Sequence, residues 1–181
     1  MLQIFFRTSI KYSFFMVALL MAFQSVGQDE KIAQQFGVQV GVNSGVLSGG
    51  IGPSLSMHYG FGTNRLFQAE ATLFGDYHSG STFLSGHDQK NLGLGLAVGG
   101  RINFLKDKAV NPSIALMGGI GYGTEKTSEP TDIQGFMGVV SLSVGAKIHN
   151  KHMIDIGFRQ GQNNEVGLLI SSLYIEYGYW F

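Results

Sequence analysis

The sequence contains no cysteine and only three prolines in 181 residues. Without a thiol there is no disulfide, no thiolate metal site and no lipid-bearing cysteine at a mature terminus. With so few prolines, long stretches of backbone keep every amide donor available for a ladder. Charge is scarce as well. Asp, Glu, Lys and Arg make up 13% of the chain, about half the share of an average soluble domain. The two signs cancel, so the basic surplus that binding a phosphate backbone requires is missing, which argues against a nucleic-acid partner. Past Gly27 no apolar run approaches the roughly 18 residues that signal a membrane-spanning helix.

What remains is an exported chain rich in glycine and in alternation. Arg7 and Lys11 precede an apolar run from Phe14 to Phe23, followed by small residues at Ser25 and Gly27. That order of basic, apolar and small segments predicts a signal peptide over 1–27, cleaved before Gln28. The apolar run has ten residues, well short of the roughly 20 that span a bilayer as a helix. Residues 28–35 read as a short polar lead-in, and 36–181 as one domain.

From Phe36 onward apolar residues fall at every second position, the period of a strand with two unlike faces. Phe36, Val38, Val40 and Val42 open the pattern, and Leu92, Leu94, Leu96 and Val98 repeat it. The last run places Leu173, Ile175, Tyr177, Tyr179 and Phe181 on one face and ends the sequence on an aromatic residue. Eight such runs are separated by links at 44–50, 60–65, 75–90, 105–112, 123–134, 149–151 and 160–165. Two of the odd-numbered links are long and polar, while the even-numbered ones are mostly short. An even-stranded barrel with both termini on the side of its short turns has this parity.

The face opposite the apolar one carries mainly Gly, Ser, Ala, Asn and Gln, with Glu70, Arg101, Lys147, Asp155, Arg159 and Glu176 among them. A soluble barrel would turn such a face to water and fill it with charge. Small residues instead suit the interior of an eight-stranded barrel, which is just wide enough for side chains. The expectation is an all-β fold: a closed eight-stranded antiparallel up-and-down transmembrane β-barrel. Its interior would hold the six charged residues as a structural network, with Arg101 and Glu70 as its central pair, since a charge buried alone is costly.

The signal segment, the eight alternating runs and the sequence Leu173-x-Ile175-x-Tyr177-x-Tyr179-x-Phe181 resemble the small eight-stranded outer-membrane β-barrels of Gram-negative bacteria. The glycine-rich style is similar to the PorT-like proteins with an outer-membrane β-barrel domain. The resemblance covers roughly 36–181. It implies an outer-membrane location with periplasmic termini and a carboxyl-terminal strand, Leu173 to Phe181, read by the barrel-assembly machinery. It further implies contact with outer-membrane lipid and lipopolysaccharide, and a monomeric state. Departures are mild; the loops are shorter than in adhesins.

Sites of chemistry are few. His58, His78, His87, His149 and His152 lack the spacing of a zinc site. His78 and His87, with Asp76 and Asp88, read as exposed residues of a polar loop, and no metal is expected. His58 shares the inward face with Ser54 and Ser56, but a catalytic serine there would be sealed away from lipid substrate. The run Gly93-x-Gly95-xxx-Gly99 is no phosphate loop, because no helix follows it; these glycines read as interior positions facing Tyr174 or Trp180. No catalytic residue and no cofactor are expected. The functional expectation is a structural or interaction role in the cell envelope, as an integrity factor or an accessory to secretion or surface assembly. The alternatives are a lipid-modifying enzyme resembling a lipid A deacylase, or a narrow channel.

Overall fold

The computed structural model describes residues 33–46, 49–62, 66–81, 88–105, 108–127 and 132–181. The signal segment and His87 lie outside the described residues. Eight strands follow in order: β1 (Ala33–Gly45), β2 (Ile51–Gly62), β3 (Phe67–Ser81), β4 (Asp88–Asn103), β5 (Val110–Thr127), β6 (Ile133–Ile148), β7 (His152–Asn163) and β8 (Leu168–Trp180). Each pairs antiparallel with the next, and β8 pairs with β1 to close the barrel. Closure leaves no unpaired sheet edge, the condition for strands to cross a medium that cannot hydrogen-bond.

The register sets the girth. A circuit from Gln34 through its paired residues Phe61, Ala69, Gly100, Leu116, Leu142, Phe158 and Leu173 returns to β1 at Ser44, ten residues along. For eight strands such a shift means a tilt of roughly 40° and a narrow interior.

Strand boundaries differ from the sequence reading in an informative way. The lead-in is shorter, because β1 already begins at Ala33. The two long loops expected at 75–90 and 123–134 are mostly ladder: β3 continues to Ser81 opposite Asp88, and β5 to Glu125 opposite Ile133. Their polar residues end the apolar pattern without ending the hydrogen bonding. The parity of long and short links therefore survives as tall hairpin stems rather than loops. The turn at 149–151 is as expected. His149 and Asn150 have φ of 50° and 57°, and the Lys151 amide donates to the Ile148 carbonyl, the mirror-image turn that suits a twisted hairpin.

The outer wall is apolar all round. Ile51, Ile120, Phe136 and Phe181 are the most exposed of its members, at 71%, 68%, 75% and 73%. In water this belt would far exceed the few hundred Å² of contiguous apolar surface that soluble monomers carry; it is built to face hydrocarbon. Aromatic residues mark both rims. Phe181 stacks on Phe36 and meets Tyr179 edge-on at the carboxyl terminus, and Tyr122 meets Phe136 edge-on at the other end.

Glycines make room inside. Gly37 and Gly60 flank the Trp180 ring, and Gly157 lies under Tyr174. Gly93, Gly95 and Gly99 do not face Tyr174 or Trp180, contrary to the sequence reading. They meet Met137, Phe74 and the Leu116 backbone respectively, because the ten-residue shift carries β4 to a different level than simple strand counting suggests. A Cβ at Gly157 would press on the Tyr174 ring and on the Leu142 carbonyl oxygen at 2.8 Å. Gly157→Ala is therefore expected to cost about 1–3 kcal/mol, read as a lower urea midpoint. Gly138→Ala, whose Cβ meets nothing within 4 Å, should leave that midpoint in place.

Candidate functional site: the charged lumen

Alternation sends every second residue of each strand inward, and eight strands deliver a polar interior. Glu70, Arg101, Lys147, Asp155, Arg159 and Glu176 are all buried there. They sort into two levels, one nearer the carboxyl terminus and the start of β1 and one nearer the opposite rim.

At the first level Arg101 of β4 joins two carboxylates from opposite sides of the lumen. Its Nε donates to Glu70 Oε2 at 2.7 Å, and its Nη1 donates to Asp155 Oδ1 at 3.0 Å and to Ser113 Oγ at 3.0 Å. Gln39 Nε2 donates to the same Asp155 at 3.1 Å. At the second level Arg159 of β7 donates from Nη1 to Asp76 Oδ2 at 2.7 Å and lies 4.0 Å from Glu176. Its guanidinium sits between the rings of Phe74 and Tyr174, 4.2 and 4.5 Å from their centroids, a site that holds a cation on both faces.

A string of side chains from β2, β3 and β8 links the levels. His58 Nδ1 meets Glu70 Oε1, and His58 Nε2 meets Ser56 Oγ at 2.7 Å. Ser56 Oγ also donates to Glu176 Oε2 at 2.7 Å; Ser54 Oγ lies between Glu176 Oε1 and Asp76 Oδ1, the latter at 2.9 Å, with one proton to give to either. Lys147 stands apart. Its Nζ donates to Gln35 at 2.9 Å and lies 4.4 Å over the Trp180 ring, with no carboxylate partner among the described residues.

Both ends of this chamber are stopped. Trp180, 1% exposed, fills the end near the carboxyl terminus. At the other end Met137, Val139, Leu168 and Ile170 join Phe74 and Met117 in an apolar cluster inside the barrel. Between them the cavity lined by His58, Arg101, Asp155, Arg159 and Tyr174 offers the centre of a water about 10 Å³, enough for one molecule.

Sequence reasoning missed Asp76 and His78. Both were expected in an exposed loop, yet they are 3% and 1% exposed and point inward. The signal was present, since they continue the inward parity of Glu70, Thr72 and Phe74 while β3 runs on past its apolar stretch. Asp76 joins Glu70, Asp155 and Glu176 as a fourth fully buried acid, beside the buried Arg101, Lys147 and Arg159. Among the described residues no group of three or more His, Asp or Glu is placed to hold a metal ion. Of the other histidines, His149 lies in the exposed turn and His152 meets the Tyr177 hydroxyl at 2.7 Å.

The residues of the closing strand divide by face. Leu173, Ile175, Tyr177 and Phe181 are exposed on the outer wall, with Tyr179 half-buried beside them. Tyr174, Glu176 and Trp180 point inward.

No family model and no curated protein sequence matches the chain, so the PorT-like resemblance stands on sequence features alone. Solved structures do match. Neisserial surface protein A (NspA) aligns at 14% identity with a TM-score of 0.55, over 83% of this chain and 98% of that one. The outer membrane enzyme PagL aligns at 14% identity and a TM-score of 0.55, over 80% and 97%. Ail, the attachment invasion locus protein of Yersinia pestis, aligns at 13% identity and a TM-score of 0.53, over 81% and 98%. Nearly the whole of each is covered. The chain has the fold of the small eight-stranded outer-membrane β-barrels.

Proposed function

We propose that this chain is an integral protein of a Gram-negative outer membrane, with both termini in the periplasm, and that its role there is structural or interactive. The observation that carries the reading is the filled lumen. Two buried arginines each donate to a carboxylate, both ends are stopped, and the cavity beside His58, Arg101 and Tyr174 suits a single water. An interior of this kind holds a wall rather than passing a solute, which leaves the rims and the outer face as the working surfaces. Lipid and lipopolysaccharide surround that face, the assembly machinery receives the closing strand, and an envelope protein is the partner sought.

Crosslinking in intact cells followed by purification of the tagged full-length protein tests this. A discrete envelope partner, together with no conductance in planar bilayers, is the expected result. Steady ion conductance from purified protein would replace the reading with the narrow channel.

One observation favours a second reading, a lipid-modifying hydrolase. Ser56, His58 and Glu70 stand in the order of a nucleophile, a base and the group that orients the base. PagL is described as an enzyme on this same fold. Against that reading, Ser56 is wholly buried and its hydroxyl is shared with Glu176. Mass spectra of lipid A from cells with and without the protein, and with Ser56→Ala, decide. A change of acyl pattern that vanishes in the variant would establish hydrolysis.

A further inference from the structure

The register of β4 and β5 sets Lys90 directly opposite Lys126. Both side chains point outward, and like charges facing each other across a ladder are unfavourable unless something sits between them. Outward hydroxyls flank them: Ser79 pairs with Lys90 across the β3–β4 ladder, and Thr124 pairs with Leu92 one step below on β5. Immediately beneath lies the apolar belt, here Tyr77, Leu92 and Tyr122. Among the described residues these two lysines are the only outward-facing cations at the rim opposite the termini; Lys108 and Lys151 lie at the other rim, and Arg101, Lys147 and Arg159 are inside. Two acids stand nearby, Asp88 two residues farther from the belt than Lys90, and Asp132 beside Lys126. Asp88 accepts the Ser81 hydroxyl at 2.9 Å, and Asp132 lies 3.8 Å from Lys126 Nζ. Both partners of that last pair are more than half exposed, so solvent screens it and it leaves the lysines available.

We propose that this outward face of β3, β4 and β5 binds the phosphate of an outer-leaflet lipid. Lys90 and Lys126 clasp the phosphate, Ser79 and Thr124 complete its hydrogen bonds, and the lipid's acyl chains lie on Leu92, Leu94, Ile120 and Tyr122 below. The apolar wall directly under the cations is what selects a lipid-borne phosphate over a free one. The proposal rests on the membrane reading above.

Full-length protein folded in detergent micelles is titrated with diphosphoryl lipid A, with the same lipid stripped of phosphate, and with inorganic phosphate, and bound lipid is counted by native mass spectrometry. The expected result is a preference for the phosphorylated lipid that falls roughly thirtyfold in Lys90→Gln/Lys126→Gln. Lys108→Gln/Lys151→Gln at the other rim should keep it. Equal retention by the Lys90/Lys126 variant, equal retention of stripped lipid, or displacement by inorganic phosphate at matching concentration would each overturn the proposal. Insertion is followed in parallel by heat-modifiable gel mobility in vesicles. A wild-type chain that never inserts removes the membrane reading and this site together, whereas an inserted barrel without phosphate preference removes the site alone.

Discussion

Arg101→Met is expected to lower the stability of the folded barrel by about 3–5 kcal/mol, because it strips the cation from two buried carboxylates at once. Glu70 and Asp155 reach Arg101 from β3 and β7, and all three are at most 2% exposed. Breaking a buried pair costs more than removing it, since the orphaned charge keeps its desolvation penalty without its partner. The triple change Arg101→Met/Glu70→Gln/Asp155→Asn should therefore recover most of the loss. The readout is the urea midpoint of barrels folded into vesicles, with heat-modifiable mobility reporting the folded fraction. Glu70→Gln, Arg101→Met and their combination form a double-mutant cycle, and strictly additive losses would mean that the two residues do not act as a pair. A wild-type midpoint for Arg101→Met alone would sink the idea that the lumenal ion pairs support the barrel.

The end of the chain carries the second large effect, and the structure divides it between neighbours. Trp180 is the bung of the lumen, set between Gly37 and Gly60 with Lys147 over its ring. Trp180→Ala empties that end and deprives Lys147 of its cation–π contact, at an expected cost of about 3–5 kcal/mol. Phe181 is 73% exposed on the outer wall, stacked on Phe36. Its deletion should change the stability by no more than about 0.5 kcal/mol, yet slow assembly into the outer membrane, followed as the rate at which the heat-modifiable form appears. A chain lacking both residues should show both defects. If Phe181 deletion assembled at the wild-type rate, its role as an assembly signal would fall; if Trp180→Ala kept the wild-type midpoint, the bung would be dispensable.

The two residues show how far the linear pattern reaches. Strict alternation already put Trp180 and Phe181 on opposite faces, and it placed Glu70 and Arg101 on the inner one. Alternation is a local rule of strand geometry, and it needs no partner strand to be read. The same rule also covered Asp76 and His78, but the outward apolar pattern that advertises it is broken at Gly75 and ends at Tyr77. Beyond the hydrocarbon belt the outer face becomes polar, and only the hydrogen-bonded ladder shows that the strand goes on. Loop lengths were overestimated for this reason.

What alternation cannot contain is relative height. Glu70 with Arg101 was legible because β3 and β4 are neighbours, whereas Arg101 with Asp155 joins strands that face each other across the lumen. The string from Glu70 through His58, Ser56, Glu176 and Ser54 to Asp76 draws on β2, β3 and β8, which are brought into contact by the ten-residue shift of the closed sheet. The inner apolar cluster of Met137, Leu168 and Ile170 was equally hidden, since apolar residues on the inward face look like lapses in the pattern until the barrel folds them against one another.

The sequence by itself determined that the chain makes eight two-faced strands, which face is greasy and which residues go inside, because those properties repeat every second residue along one strand. Which inward groups meet, which end Trp180 stops, and that Lys90 confronts Lys126 were decided only by the tertiary structure, because register and shear are properties of strands taken together.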